Sequence, residues 1–156
     1  MNHQRRTLLK STVATGTIAI AISAGLLTPQ AVLAAWPKAA FNAKSVGDAL
    51  NTLMGAKDAV ASKDIQVDAP DIAENGAVVS ISIKTSIANA EQISILVKEN
   101  SLPLAASYVL SPDTEGYITG RIKMAKTSDI IAVVKAGNKL YMAKKSVKVT
   151  LGGCGG

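Results

Sequence analysis

Residues 77–87 read AVVSISIKTSI, and this stretch decides the fold. Val79, Ile81, Ile83 and Ile87 alternate with Ser80, Ser82, Lys84 and Ser86. A strand turns successive side chains to opposite faces, so this period of two places the apolar residues on a core and the polar ones in solvent. The same signal recurs along the chain. QISILVK (92–98) points Ile93, Ile95 and Val97 inward, and LAASYVL (104–110) puts Leu104, Ala106, Tyr108 and Leu110 on one face. Pro103 stands at the start of that run, where a strand tolerates proline. Beyond the turn cluster SPDTEG (111–116), YITGRIKM sets Ile118, Ile122 and Met124 against Thr119, Arg121 and Lys123. AGNK (136–139) marks a hairpin turn before LYMAKKSVKVTL (140–151), whose inner face is Val147, Val149 and Leu151.

Two segments break the alternation. SVGDALNTLM (45–54) has helical spacing at Val46, Ala49, Leu50 and Leu53, with Ser45 and Asp48 at capping-box spacing and Gly55 as a stop. Trp36 and Phe41 just before it are core anchors for docking this helix. DIIAVVK (129–135) is apolar at both parities, so Ile130 to Val134 needs cover on two sides. A neighbouring loop or a protein partner would supply the outer cover; as a partner-facing surface, Ile130 to Val134 is the expected place. With DIQVDA (64–69) the count is about seven strands after one helix. The expected fold is mainly β: an immunoglobulin-like antiparallel β-sandwich of about seven strands with a short N-terminal helix and a flexible C-terminal arm.

The N-terminus reads as an address. MNHQRRTLLK is basic, STVATGTIAIAISAGLL is apolar, and AVLAAW offers small residues for a signal peptidase, which is the order of an export signal. Arg5 and Arg6 with Thr7, Leu8, Leu9 and Lys10 resemble a twin-arginine signal, with Gln4 and Leu8 departing from its usual residues; the other reading is an ordinary secretory signal. The expected domains are therefore a cleaved signal (1–34), a β-sandwich body with its helix (35–151) and a carrier arm (152–156), in the periplasm. Removing the signal takes away Arg5, Arg6 and Lys10 and no acid, so the formal charge falls from +6 to +3. No basic block with interleaved aromatics suggests nucleic acid, and the apolar stretch is too short and polar for a membrane span.

The chemistry is narrowed by what leaves with the signal. His3 is the single histidine of the chain and Cys154 the single cysteine. The mature chain thus lacks a Ser-His-Asp or Cys-His catalytic set and the usual zinc or copper ligands; no catalytic residue, metal or cofactor is expected. An unpaired cysteine in an exported chain points to an intermolecular bond or a reactive thiol. Asp113 and Glu115 lie close together in a turn, where solubility explains them better than catalysis.

The tail gives that thiol its setting. The chain ends GGCGG, with Gly152 and Gly153 before Cys154 and Gly155 and Gly156 after it. Glycine adds conformational freedom without bulk, so the segment is expected to act as a thin tether. Three residues past Leu151 carry the thiol about 10 Å beyond the body. A thiol of pKa ~8.5 is only a few per cent thiolate at neutral pH, and no cation is fixed within the arm. Activation must come from whatever pocket receives it. Lys144, Lys145 and Lys148 lie near the arm's base, most simply as the solvated face of a strand.

This terminal GGCGG, after a lysine- and valine-rich last strand and behind a twin-arginine-like signal, closely resembles the SoxY family. The resemblance implies a sulfur carrier of the bacterial Sox thiosulfate-oxidation system, not an enzyme, with Cys154 as the covalent attachment point and Gly152, Gly153, Gly155 and Gly156 as the arm. It implies a heterodimer with a SoxZ-like subunit. It also implies visits to a SoxXA-type haem enzyme that attaches thiosulfate, a SoxB-type hydrolase that releases sulfate, and a sulfane dehydrogenase or other sulfur-processing protein.

Two other readings share the tail. The Gly155–Gly156 end resembles that of ubiquitin-like sulfur carriers, but those are cytoplasmic and smaller, and the export signal argues against them. An exported interaction module would use Cys154 for an interchain disulfide; four glycines around the sulfur supply none of the fixed geometry such a staple wants.

Overall fold

The computed structural model describes residues 37–152. The signal reading, the docking role of Trp36 and the tail from Gly153 to Gly156, Cys154 included, lie outside them. Two helices come first: α1 (Lys38–Phe41) and α2 (Val46–Met54). Nine strands follow: β1 (Val60–Ala61), β2 (Ile65–Asp68), β3 (Ile72–Asn75), β4 (Val79–Thr85), β5 (Gln92–Val97), β6 (Leu104–Val109), β7 (Tyr117–Ile122), β8 (Ser128–Ala136) and β9 (Lys139–Leu151). α2 starts where its cap residues place it. Ser45 Oγ accepts from the Asp48 backbone N–H at 3.1 Å, and Gly55 ends the helix with φ +77°, a conformation that glycine adopts without penalty. The Asp48 carboxylate accepts from the Ser45 hydroxyl at 2.8 Å instead of reaching back to the backbone.

The strands form two sheets. β2, β4 and β7 make the smaller, with β4 central and antiparallel to both neighbours. The larger runs β1-β9-β8-β5-β6, with β3 also on β9. Val79, Ile81 and Ile83 of β4 and Ile118 and Ile122 of β7 meet Ile93, Ile95 and Val97 of β5 and Ile130, Ala132 and Val134 of β8 in one buried cluster. The alternation in 79–87 thus marks the inner face of a two-sheet sandwich, and the mainly β expectation holds. Each fully buried Val or Ile here is worth roughly 1.5–3 kcal/mol relative to exposure, which is what holds the sheets together.

The doubly apolar run resolves differently from the partner-facing expectation. Ile131 and Val133, the other face of β8, join Leu96, Leu104 and Leu140 beneath Ala40, Ala49, Leu50 and Met54 of the two helices. All five residues from Ile130 to Val134 are at most 5% exposed. The chain's own helices cover this strand, so it is a core element and not a docking face. β5 is likewise covered on both sides, and its one buried polar residue, Ser94, meets the Ser107 hydroxyl at 2.9 Å.

Three further details depart from the local pattern. The register of β5 with β6 shifts between Ile95 and Leu96. Leu104 therefore packs under the helices while Ala105, Ala106 and Leu110 pack toward the sandwich core, and Tyr108 is left 39% exposed. β1 and β3 are additions to the seven expected strands, and both pair with β9 in parallel (Val60↔Tyr141, Ala73↔Val149). Leu151, expected inward, is 70% exposed because β9 outruns the sandwich at its end.

Candidate functional site at the end of strand β9

The expected attachment residue follows the last strand, so the end of β9 decides how the tail leaves the body. β8 pairs with β9 only as far as Ser128↔Val147. Past that point, side chains and a parallel neighbour take over. The Val149 N–H donates to Thr127 Oγ1 at 2.9 Å, and the same hydroxyl lies 3.4 Å from the Val149 carbonyl, to which it donates. At the two ends of β3, the Lys148 N–H donates to the Asp71 carbonyl (2.9 Å), and the Gly76 N–H donates to the Leu151 carbonyl (2.7 Å). The Thr150 hydroxyl adds a bond to the Glu74 carbonyl at 2.9 Å. β9 is thereby hydrogen-bonded through its final residue.

Gly152 comes next and sits against the turn before β8. A Cβ built on it would lie 2.2 Å from the Ala125 carbonyl oxygen, closer than any real contact. Its φ lies outside the left-handed region, so close approach, not backbone conformation, requires glycine here. The turn it touches is itself held. The Ala125 N–H donates to Asn100 Oδ1 and Asn100 Nδ2 donates to the Lys123 carbonyl, both at 2.9 Å, while the Met124 N–H donates to the Gly76 carbonyl at 2.7 Å. Thr127, Ala125 and Asn100 carry no motif, and nothing in their local sequence singles them out. Only the fold brings them to the tail.

The lysines at the base divide. Lys144 and Lys148 point to solvent, while Lys145 pairs with Asp71 of the β2–β3 connection. The hydrogen bond from Lys145, and then its charge, hold the Asp71 carboxyl below its ordinary value. Beside this end, the open edges of β6 and β7 leave a cleft of about 290 Å³ walled by Ile81, Ile95, Tyr108, Arg121 and Lys123. Asp113 and Glu115 are exposed in the turn between those strands. Among the described residues no group of three His, Cys, Asp or Glu is placed to hold a metal, and no helix is long and apolar enough to cross a membrane.

A family model described as sulfur oxidation protein SoxY matches residues 50–154, a span that ends on Cys154. Among solved structures, the sulfur carrier protein SoxY from Chlorobium limicola f thiosulfatophilum is 41% identical, with a TM-score of 0.63, over 74% of this chain and all of its own. A lytic polysaccharide monooxygenase from Jonesia denitrificans aligns over 69% of this chain and 73% of its own at 11% identity and a TM-score of 0.37, too weak a likeness to bear on the fold. No curated protein matches the chain. With the family match over two thirds of its length and a sulfur carrier aligned along its whole body, the chain belongs to the SoxY family of sulfur oxidation proteins.

Proposed function

We propose that the protein is a periplasmic covalent sulfur carrier of thiosulfate oxidation, with Cys154 as the attachment point and the terminal glycines as its arm. The observation that carries this reading is positional. The one cysteine of the chain lies three residues past Leu151, where β9 is tied down, and the family match runs to that cysteine. A carrier must present one atom to several different active sites, and a short arm of glycines fits a narrow entrance with little steric cost.

A SoxXA-type haem enzyme joins the Cys154 thiolate to the outer sulfur of thiosulfate, forming an S–S bond, with two electrons passing to the haem. A SoxB-type hydrolase then adds water at the sulfonate sulfur, releasing sulfate and leaving a persulfide on Cys154. A sulfane dehydrogenase or another sulfur-processing protein takes the remaining sulfur. With the single histidine in the expected signal, the mature sequence has no imidazole to serve as a general base, which suits a carrier whose thiol is activated inside a partner's pocket. A SoxZ-like subunit completes the heterodimer.

Replacing Cys154 with Ser tests the reading. The variant is expected to keep its fold and its heterodimer and to lose thiosulfate-dependent turnover with the partner enzymes. Retained turnover would overturn the assignment. The interaction-module reading predicts a different loss in the same variant, that of a covalent dimer on non-reducing electrophoresis.

A further inference from the structure

We infer that Gly152 is a positioning residue that roots the arm on the body, and that Thr127 and the Ala125 carbonyl are the seat it is rooted in. The inference rests on the carrier reading for its function, but its structural part stands alone. By sequence, Gly152 is one of four equivalent glycines around Cys154. In the fold it is not equivalent. Its Cα lies so close to the Ala125 carbonyl oxygen that an added Cβ would sit 2.2 Å away, and the backbone leading into that carbonyl is held by Asn100 and Gly76. That oxygen has little freedom to retreat, because the Ala125 N–H and the Met124 N–H are both committed.

The residues just before Gly152 are held from two directions. Thr127 takes the Val149 N–H on the β8 side, where the backbone ladder has already stopped, and the Gly76 N–H takes the Leu151 carbonyl on the β3 side. Thr127 thus does with a side chain what a longer β8 would do with backbone. The consequence for carriage is geometric. An arm rooted at Leu151 would reach about 10 Å to Cys154, whereas one rooted at Gly152 has two residues and about 7 Å. The root also sets the point from which the arm starts, so the reach of the cysteine is bounded at about 7 Å from Gly152.

The test separates root from arm. Amide hydrogen exchange is measured on the full chain for wild type, Gly152→Ala and Gly153→Ala, with the Gly76 N–H as reporter because it bonds the last residue of β9. Gly152→Ala is expected to speed Gly76 exchange about tenfold or more while the Ile131 and Val133 amides keep their rates. Gly153→Ala is expected to match wild type at Gly76. In the functional arm, a hydrolase of the sulfate-releasing class acts on the loaded carrier. Gly152→Ala is expected to raise KM severalfold with kcat held, and the alkylation rate of Cys154 by iodoacetamide is expected to stay at the wild-type value. Wild-type exchange at Gly76 in Gly152→Ala, or an equal effect from Gly153→Ala, would overturn the root, and an unchanged KM would overturn its positioning role. Should Gly152→Ala fold poorly, Thr127→Val removes the hydroxyl alone. It is expected to expose the Val149 amide to exchange and to raise KM in the same way; wild-type exchange and wild-type KM in this variant would overturn the inference. If wild type is no substrate for the hydrolase, the carrier reading fails while the exchange result still decides the root.

Discussion

Leu50→Ala tests whether the two helices cover β8 in solution. Leu50 is 3% exposed on α2 and packs with Leu96, Leu104, Ile131, Val133 and Leu140. The substitution removes three carbons. At ~0.8 kcal/mol per buried CH2 the transfer loss is about 2.4 kcal/mol. The cavity left between helix and sheet adds to it, because a close-packed site collapses only partly, and the total falls within the 2–5 kcal/mol usual for such changes. Taking about 3 kcal/mol, and about 3–5 °C per kcal/mol for a body of this size, the melting temperature should drop by about 9–15 °C. The assay is thermal unfolding by circular dichroism on the reduced protein, with Val109→Ala as control. Val109 is 84% exposed on the β6 edge, and its truncation should change stability by no more than about 0.5 kcal/mol. A fall of less than about 2 °C in Leu50→Ala would refute the reasoning, since so small a loss means the helices do not pack on Ile131 and Val133. That face would then be open to a partner after all.

Other expectations follow from single contacts. Gly116→Ala places a Cβ 2.6 Å from Thr85 Cγ2 and 2.8 Å from the Thr85 carbonyl, where Thr85 N–H also bonds the Gly116 carbonyl, so stability should fall by about 1–3 kcal/mol in urea unfolding. Asp71, with its carboxyl held below the ordinary value by Lys145, stabilises the fold above that ordinary value and stops doing so as pH falls through its lowered one. The difference in melting temperature between wild type and Asp71→Asn should therefore be constant near neutrality, vanish in acid, and stay small throughout because the carboxylate is solvent-exposed. A difference that persists unchanged into acid contradicts this. Bulky residues in place of Gly153 and Gly155 should slow every partner enzyme and leave the melting temperature nearly unchanged; a drop of several degrees would mean that the tail packs on the body.

Local pattern carried the strands that alternate. Val79, Ile81 and Ile83 declare their buried face because a one-residue slip would expose all three. β8 was visible as a strand but not its cover, since apolar residues at both parities state only that two faces are buried. Whether helix, loop or partner lies on the second face depends on where α1 and α2 dock, and docking is a long-range matter. β1 and β3 left no trace because VA and IAEN are too short to form a pattern; pairing with β9 makes them strands. The parity change in β6 was hidden for a similar reason, as its register shift opposite Ile95 and Leu96 belongs to the pair and not to either sequence. At the tail, Cys154 stood out because it is the only thiol and is flanked by glycine. The distinction between Gly152 and its neighbours did not, because it is set by the Ala125 carbonyl, 27 residues away in the chain.

The central claim is covalent sulfur carriage on Cys154, and the most direct test is intact mass. The protein would be purified from its native cells during growth on thiosulfate and weighed before and after reduction, with the C-terminal peptide mapped. The account predicts a reducible increment matching thiosulfate, sulfane sulfur or a sulfonated persulfide, confined to the peptide that holds Cys154. A bare thiol throughout, or a symmetric disulfide dimer as the only modified form, would contradict it.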